Sequence, residues 1–395
     1  MIPLIQYTLL FASVLTLVAL GGCYAEHSGV INLGLEGIMV MGAFGGALAL
    51  KSFNVSYANG SVPAIVVVLA AVVASMLSGM IYSCLLGIAC INFKADQTLV
   101  GTALNMLATA VATIIAKTMN TIADPDNVSA TVSYVNAKKA LLVYFGRFEV
   151  KCFMAIVIAF IIAWFLLYKR RFGFFLMACR KHPEASESVG NIVERIRWYV
   201  GLICLFGMLG GLVRIVYFTD GEWKFEFNWF IAIAVIALII AYVLLYKTRF
   251  GLRLMACGEH PQAADSVGIS VNRMRWSGVL ISGMFGGLGG IVYITAGVSE
   301  WKFEYGVAGF GFLSLAVMIF GQWKPHMIAL SAILFGFFRA FSNVYTGFAF
   351  FKQLNLPSTF YNMLPYIISL IVLAFTSMNS RAPKAEGIPY DKSAR

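Results

Sequence analysis

The chain has 395 residues, 60% of them hydrophobic and only 12% charged, with a mean hydropathy of +0.83. Soluble domains carry about twice that charged share, so a water-soluble enzyme or free-standing binding module is excluded. The net charge of +11 does not point to nucleic acid, because the basic residues sit mainly in short loops between apolar runs, where the positive-inside rule accounts for them.

Repeated apolar runs of roughly 20 residues specify an all-α, polytopic membrane protein with about eleven transmembrane helices. Met1–Gly22 lacks a basic leader and runs on into further membrane segments, so Leu4–Gly22 reads as the first span rather than a cleavable signal. A polar break at Cys23–His27 follows. The second span opens at Ser28 and is rich in glycine, with Asn32 and Glu36 inside it. A loop at Lys51–Ser61 leads to the third span, about Pro63–Ile91, and the link Asn92–Gln97 to the fourth, about Thr98–Ala116. Residues 117–149 are polar, with a turn signal at Asp124-Pro-Asp-Asn127. The fifth span is Phe153–Tyr168, the sixth Trp198–Phe218 and the seventh Ile231–Tyr246. Acidic turns lie at 220–226 and 300–304. The eighth span is Trp276–Thr295, and the last three are Gly306–Gly321, Met327–Tyr345 and Tyr361–Met378, before a polar tail at 379–395.

Lys and Arg concentrate on the side that holds Lys94, two basic loops, Lys324 and the tail. That side is expected to be cytoplasmic, with the acidic turns outside. Seven cysteines without a CxxC read as small apolar packers.

The two basic loops are copies. Arg171–Trp198 and Arg249–Trp276 lie 78 positions apart and share 17 of 28 residues. Each belongs to a two-span unit, 148–225 and 226–303. Two spans return the chain to its starting side, so this is a parallel tandem repeat rather than the inverted repeat of many secondary transporters. In the second copy, Pro261 suits the first turn of a helix. Ala263-Ala264 offer a small helical face that a partner can approach, and Gly268 is placed to stop the helix. On residues alone, a basic loop that merely anchors topology remains the competing reading.

Glu36 is the costly residue. A carboxylate at membrane depth is unfavourable by a few kcal/mol unless paired or wetted. It either lines a path or caps broken backbone at Gly34/Gly37, or pairs with Arg339 or Arg214. Asn32, Gln97, Thr98 and Asn105 are further path candidates, against the alternative that buried amides bond neighbouring helices. The sequence has no G-x-x-x-x-G-K-[ST], so the loop that would cradle ATP phosphates is missing. No metal-ligand spacing and no nucleophile–base arrangement is present; the four histidines (27, 182, 260, 326) are far apart in sequence.

Glu26-His-Ser-Gly-Val-Ile-Asn-Leu-Gly-Leu-Glu-Gly37 resembles the E-x-S/A-G-V-x-N-x-G-L-E-G signature of bacterial ABC-transporter permeases for nucleosides and simple sugars, within the branched-chain amino acid and ribose permease superfamily. Arg249–Ile269 is similar to that family's R-F-G-L-R…G-E-N-P-x-A-A-D loop, and Gly309–Pro325 to its G-x-G-F…F-G-x-W-x-P run. The tail, Arg381-Ala-Pro to Lys392, is similar to the nucleoside-type C-terminus. The resemblance implies a single permease domain over 1–395 and no ATPase site of its own. It implies a separate ABC ATPase subunit that binds the ATP, a second permease subunit, an extracytoplasmic substrate-binding protein and the bacterial inner membrane. It also implies that Gly258, Glu259, His260, Pro261, Gln262, Ala263, Ala264, Asp265 and Gly268 form the ATPase-coupling loop. His182, Pro183, Glu184, Ala185, Ser186 and Gly190 are its duplicate, and the extra two-span unit is a departure from the family. The expected solute is a nucleoside, with simple sugar or riboflavin as alternatives. A stand-alone secondary transporter or channel would need coupling carboxylates, and Glu36 is the one credible buried candidate. A non-transporting assembly role for the doubled unit is a third possibility.

Overall fold

The computed structural model describes residues 2–141, 229–295, 300–345, 360–361, 363–368, 370 and 382–391. All belong to the first of two compact units, Met1–Val143 with Glu226–Arg395; the second, Tyr144–Phe225, contains none of them. The expected fifth and sixth spans, most of the eleventh, the duplicate loop (His182, Pro183, Glu184, Ala185, Ser186, Gly190), the acidic turn at 220–226 and Arg214 therefore lie outside the described residues.

The described chain is helical. In order it forms α1 (Ile2–His27), α2 (Leu35–Ala58), α3 (Ala64–Gly87, running on as a π-turn Ile88–Asn92) and α4 (Gln97–Ala123). Then come β1 (Thr131–Ser133), α5 (Lys138–Leu141), α6 (Trp229–Lys247), α7 (Arg249–Glu259), α8 (Pro261–Ser266) and α9 (Val271–Thr295). Next are β2 (Glu300–Lys302), a 3-10 turn (Phe303–Tyr305), α10 (Phe310–Phe320) and α11 (Pro325–Val344). Six of these helices are long and apolar enough to cross a membrane, or seven if the α6–α7 pair, bent by 72°, is one span.

The centre is α1. Val14, Leu15, Leu17, Val18, Ala19 and Leu20 are fully buried, with α6, α9, α10 and α11 packed around them. A second contact joins α9 to α2 and α3. There the backbones nearly touch: a Cβ on Gly42 would stand 2.1 Å from Gly287 Cα, and one on Gly79 2.3 Å from Gly283 O. Small residues let helices pack where lipid removes the hydrophobic drive between them. The outer surface is apolar instead, as on α3, where Ile65, Leu69, Val73, Leu77, Ile81 and Leu85 are exposed.

The structure corrects the expected boundaries in several places. Cys23–His27 is not a break but the last turn of α1. The break is 28–34, where Gly29 takes φ +91 and Val30 N–H bonds Ala25 O at 3.1 Å, a glycine helix stop. The second span therefore begins at Leu35 and carries Lys51 within it. The fourth extends to Ala123. Most of the second basic loop is helix, α7 and α8. The ninth span shrinks to the 11 residues of α10, too few for a bilayer that needs about 20. Among the described residues there is one small sheet: β1 pairs antiparallel with β2, Val132 opposite Trp301.

Candidate functional site

Two places hold the residues that the motifs single out. The first is one end of the bundle, where α7 turns aside from α6. Thr248 caps α7 by accepting from Gly251 N–H at 3.2 Å. The short α8 follows with Pro261 at its first turn. It stops at Gly268, which takes φ +85, while Ile269 N–H bonds Ala264 O at 3.1 Å. The start and stop read from the sequence hold.

The presented face differs from the expectation, however. Ala264 is buried with Cys257 and Val271, whereas Glu259, His260, Gln262, Ala263, Ser266 and Val267 are exposed. Asp265 and Pro261 are half-buried. Gly258 touches the end of α1: a Cβ there would lie 2.4 Å from His27 O. The tail closes over the same place. Ala385 N–H bonds Gly258 O at 2.8 Å, Lys94 pairs with Asp391 at 3.2 Å, and the Arg275 guanidinium lies 5.9 Å from the Tyr390 ring centre.

Beside them stands a polar knot built around residues of two of the motifs. Trp323, in the turn between α10 and α11, donates its indole N–H to the buried Glu26 carboxylate. Its carbonyl accepts from Cys23 Sγ at 3.2 Å and lies 3.1 Å from His27 Nε2. A carbonyl can only accept, so Nε2 carries the proton. Glu26 opens the first family motif and Trp323 sits near the close of the Gly309–Pro325 run, and the fold brings them together.

The second place is a junction at membrane depth. The segment 29–34 runs beside the start of α4 and is held by amides. Gln97 Oε1 accepts from Ile31 N–H at 2.6 Å. Asn105 Oδ1 accepts from Gly37 N–H at 2.7 Å, and its Nδ2 donates to Leu33 O at 2.9 Å. Asn32 Nδ2 donates to Ser282 Oγ at 2.8 Å. Thr98 stands apart, exposed in the first turn of α4, its N–H capped by Asp96 at 2.9 Å.

Glu36 lies in the first turn of α2 and reaches α10. Its two carboxylate oxygens accept from Gly309 N–H at 2.8 Å and Gly311 N–H at 2.6 Å. One carboxylate thus serves the positive ends of two helices. Its bonds go to backbone N–H groups at α10, not to Gly34 and Gly37. Arg339 instead stacks near Phe310, 5.3 Å from its centre.

A family model described as "branched-chain amino acid transport system / permease component" matches residues 4–225 and 213–374. The chain is 32% identical over 388 residues to the nucleoside ABC transporter permease protein NupC of Lactococcus lactis, covering 98% of this chain and 95% of the relative. It is 32% identical over 396 residues to the guanosine ABC transporter permease protein NupQ of Bacillus subtilis, covering 99% and 97%. A further Lactococcus lactis protein, the nucleoside ABC transporter permease NupB, is 26% identical over 163 residues, 41% of this chain and 43% of the relative. No solved structure matches the chain.

Proposed function

Because the chain belongs to the branched-chain amino acid transport permease family, we propose that it is the membrane-spanning subunit of an ATP-driven importer of nucleosides. The observation that carries the solute is the similarity to NupC and NupQ, at 32% identity along nearly the whole chain. ATP is bound and split by a separate ATPase subunit. That subunit docks on the exposed side of α8, where Glu259, Gln262, Ala263 and Ser266 face outward. Gly258 and the tail tie this helix to the end of α1, so movement of the docked partner reaches the central helix. A second, non-identical permease completes the translocation unit, in keeping with matches to two different Lactococcus permeases. A substrate-binding protein delivers solute on the opposite side, near β1, β2 and the Lys117–Glu304 pair. The setting is a bacterial cytoplasmic membrane, with the face bearing α8, Lys94 and the C-terminal tail turned to the cytoplasm.

The test is reconstitution with the co-purifying ATPase and second permease in vesicles. Labelled guanosine is taken up with ATP, and unlabelled nucleosides compete while ribose and riboflavin do not. Failure of any ATPase to co-purify overturns the importer, and uptake of ribose or riboflavin but not guanosine overturns the solute.

A further inference from the structure

We propose that a groove between α4 and the start of α10 is this chain's half of the solute-binding site, an inference that rests on the nucleoside reading above. The groove is about 820 Å³, shallow and widely open, with a volume in the range of small-molecule sites. One wall is a stripe on α4 that carries Thr102, Thr109 and Thr113; the other carries Phe312, and Glu304 stands at the rim. Thr98, Thr102, Asn105, Thr109 and Thr113 recur every three or four residues and so share one side of the helix.

Threonine in a membrane helix can satisfy itself, and two of these do. Thr102 Oγ1 donates to Leu99 O at 2.9 Å, and Thr109 Oγ1 to Asn105 O at 3.3 Å. Each donor is used, but each oxygen keeps lone pairs that can accept from a solute hydroxyl or ring N–H. The hydroxyl stripe alone could face lipid. What separates it from a lipid-facing surface is the concavity and the facing ring. Phe312 is a half-exposed aromatic on a different element, placed to lie against a nucleobase. The lining includes no cation, and at the rim Glu304 pairs with Lys117 at 2.6 Å. The chemistry fits an uncharged ring-bearing polyol and disfavours a phosphorylated one. The open side is where the second permease would supply the other wall.

Thr109→Cys and Thr113→Cys, each in the complete transporter in vesicles, test this against Ile239→Cys, on an exposed apolar position of α6, with the unsubstituted protein as background. The probe is a charged methanethiosulfonate, which reacts with the thiolate that the introduced cysteine forms where water reaches it. The groove positions should react about tenfold faster than Ile239→Cys, because a thiol in apolar surroundings stays protonated. Guanosine should slow them severalfold and guanosine monophosphate should not. Phe312→Ala should raise the KM for guanosine about tenfold through lost stacking, and Phe312→Tyr should restore it. Reaction no faster than Ile239→Cys, or no guanosine protection in vesicles that import guanosine, overturns the groove. If the vesicles import ribose and not guanosine, the nucleoside reading fails separately. Ribose protection then keeps the groove, and its absence overturns it.

Discussion

At the scale of single residues, Glu36 shows how a costly carboxylate is accommodated by backbone donors. Its charge is offset by two backbone donors at 2.8 and 2.6 Å and by the first turns of two helices. Glu36→Gln keeps one acceptor but turns an amide N–H₂ toward a backbone N–H and removes the charge. Charge-assisted bonds contribute about 2 kcal/mol, so the variant should unfold at clearly lower denaturant in detergent, with uptake falling in step. Intact stability with abolished uptake would instead mean that the carboxylate meets the solute. The cost of Glu36 was legible in the sequence, since a carboxylate in an apolar run is conspicuous. Its partners were not. They are backbone N–H groups 273 and 275 positions away, and backbone donors carry no residue-type signal. Asn105 and Gln97 were legible as unusual in the same way, while the segment they hold, Ile31 to Gly37, could not be inferred from them.

At the scale of elements, the apolar pattern identified most spans but not their ends. Val30, Ile31 and Leu33 look like helix interior, so the irregular segment 28–34 was hidden in an apolar run; Gly29 and Gly34 were the local signs of a break. Hydropathy likewise cannot tell the half-length α10 from a full crossing. The α8 helix was legible because Pro261 and Gly268 mark its ends, yet its orientation was not, since Ala263 and Ala264 are equivalent until the helix is docked. That orientation makes a prediction. Ala263→Arg should leave the permease folded and abolish ATPase co-purification, whereas Ala264→Arg should lower thermal stability of the isolated permease, because the side chain enters the cluster with Cys257 and Val271. A folded Ala263→Arg permease that still co-purifies the ATPase would show that the exposed side is not the docking side. The tail gives a second prediction. Burial pushes the Glu386 carboxyl up to about 7 from 4.5, with the buried Glu26 of α1 close enough to interact. A docked tail therefore retains a proton that a free tail has lost. Docking is strongest below pH 4.5 and weakens as pH rises through 7. Hydrogen exchange at 382–391 should be slower at pH 5 than at pH 8 after correction for intrinsic rates, and Glu386→Gln should remove the difference.

At the scale of the whole molecule, the described residues link the end that carries α8 and the tail to the interior of the bundle through a short series of contacts. From α8 the chain passes to Gly258 at the end of α7, which touches His27 at the end of α1. His27, Cys23 and Glu26 all bond Trp323. Trp323 sits at one end of α10, and the other end of α10 is held by Glu36 of α2. Because α10 is only 11 residues long, a shift at Trp323 is expected to reach the junction at its far end. The long contacts of α1 with α9 and α11 do not involve Trp323, so a conservative change at this buried turn alters the linkage while leaving those contacts in place. Trp323→Phe retains an aromatic ring but removes the indole donor and leaves the buried Glu26 carboxylate without it, a loss of about 1–3 kcal/mol for an unsatisfied buried group. The assembled transporter should still hydrolyse ATP, while guanosine uptake per ATP falls severalfold. Glu26→Gln, which still accepts the indole proton through its carbonyl oxygen, should retain most of the coupling. Parallel measurement of phosphate release and uptake in the same vesicles decides it: a Trp323→Phe transporter with an unchanged uptake-to-hydrolysis ratio would show that force does not pass through this turn.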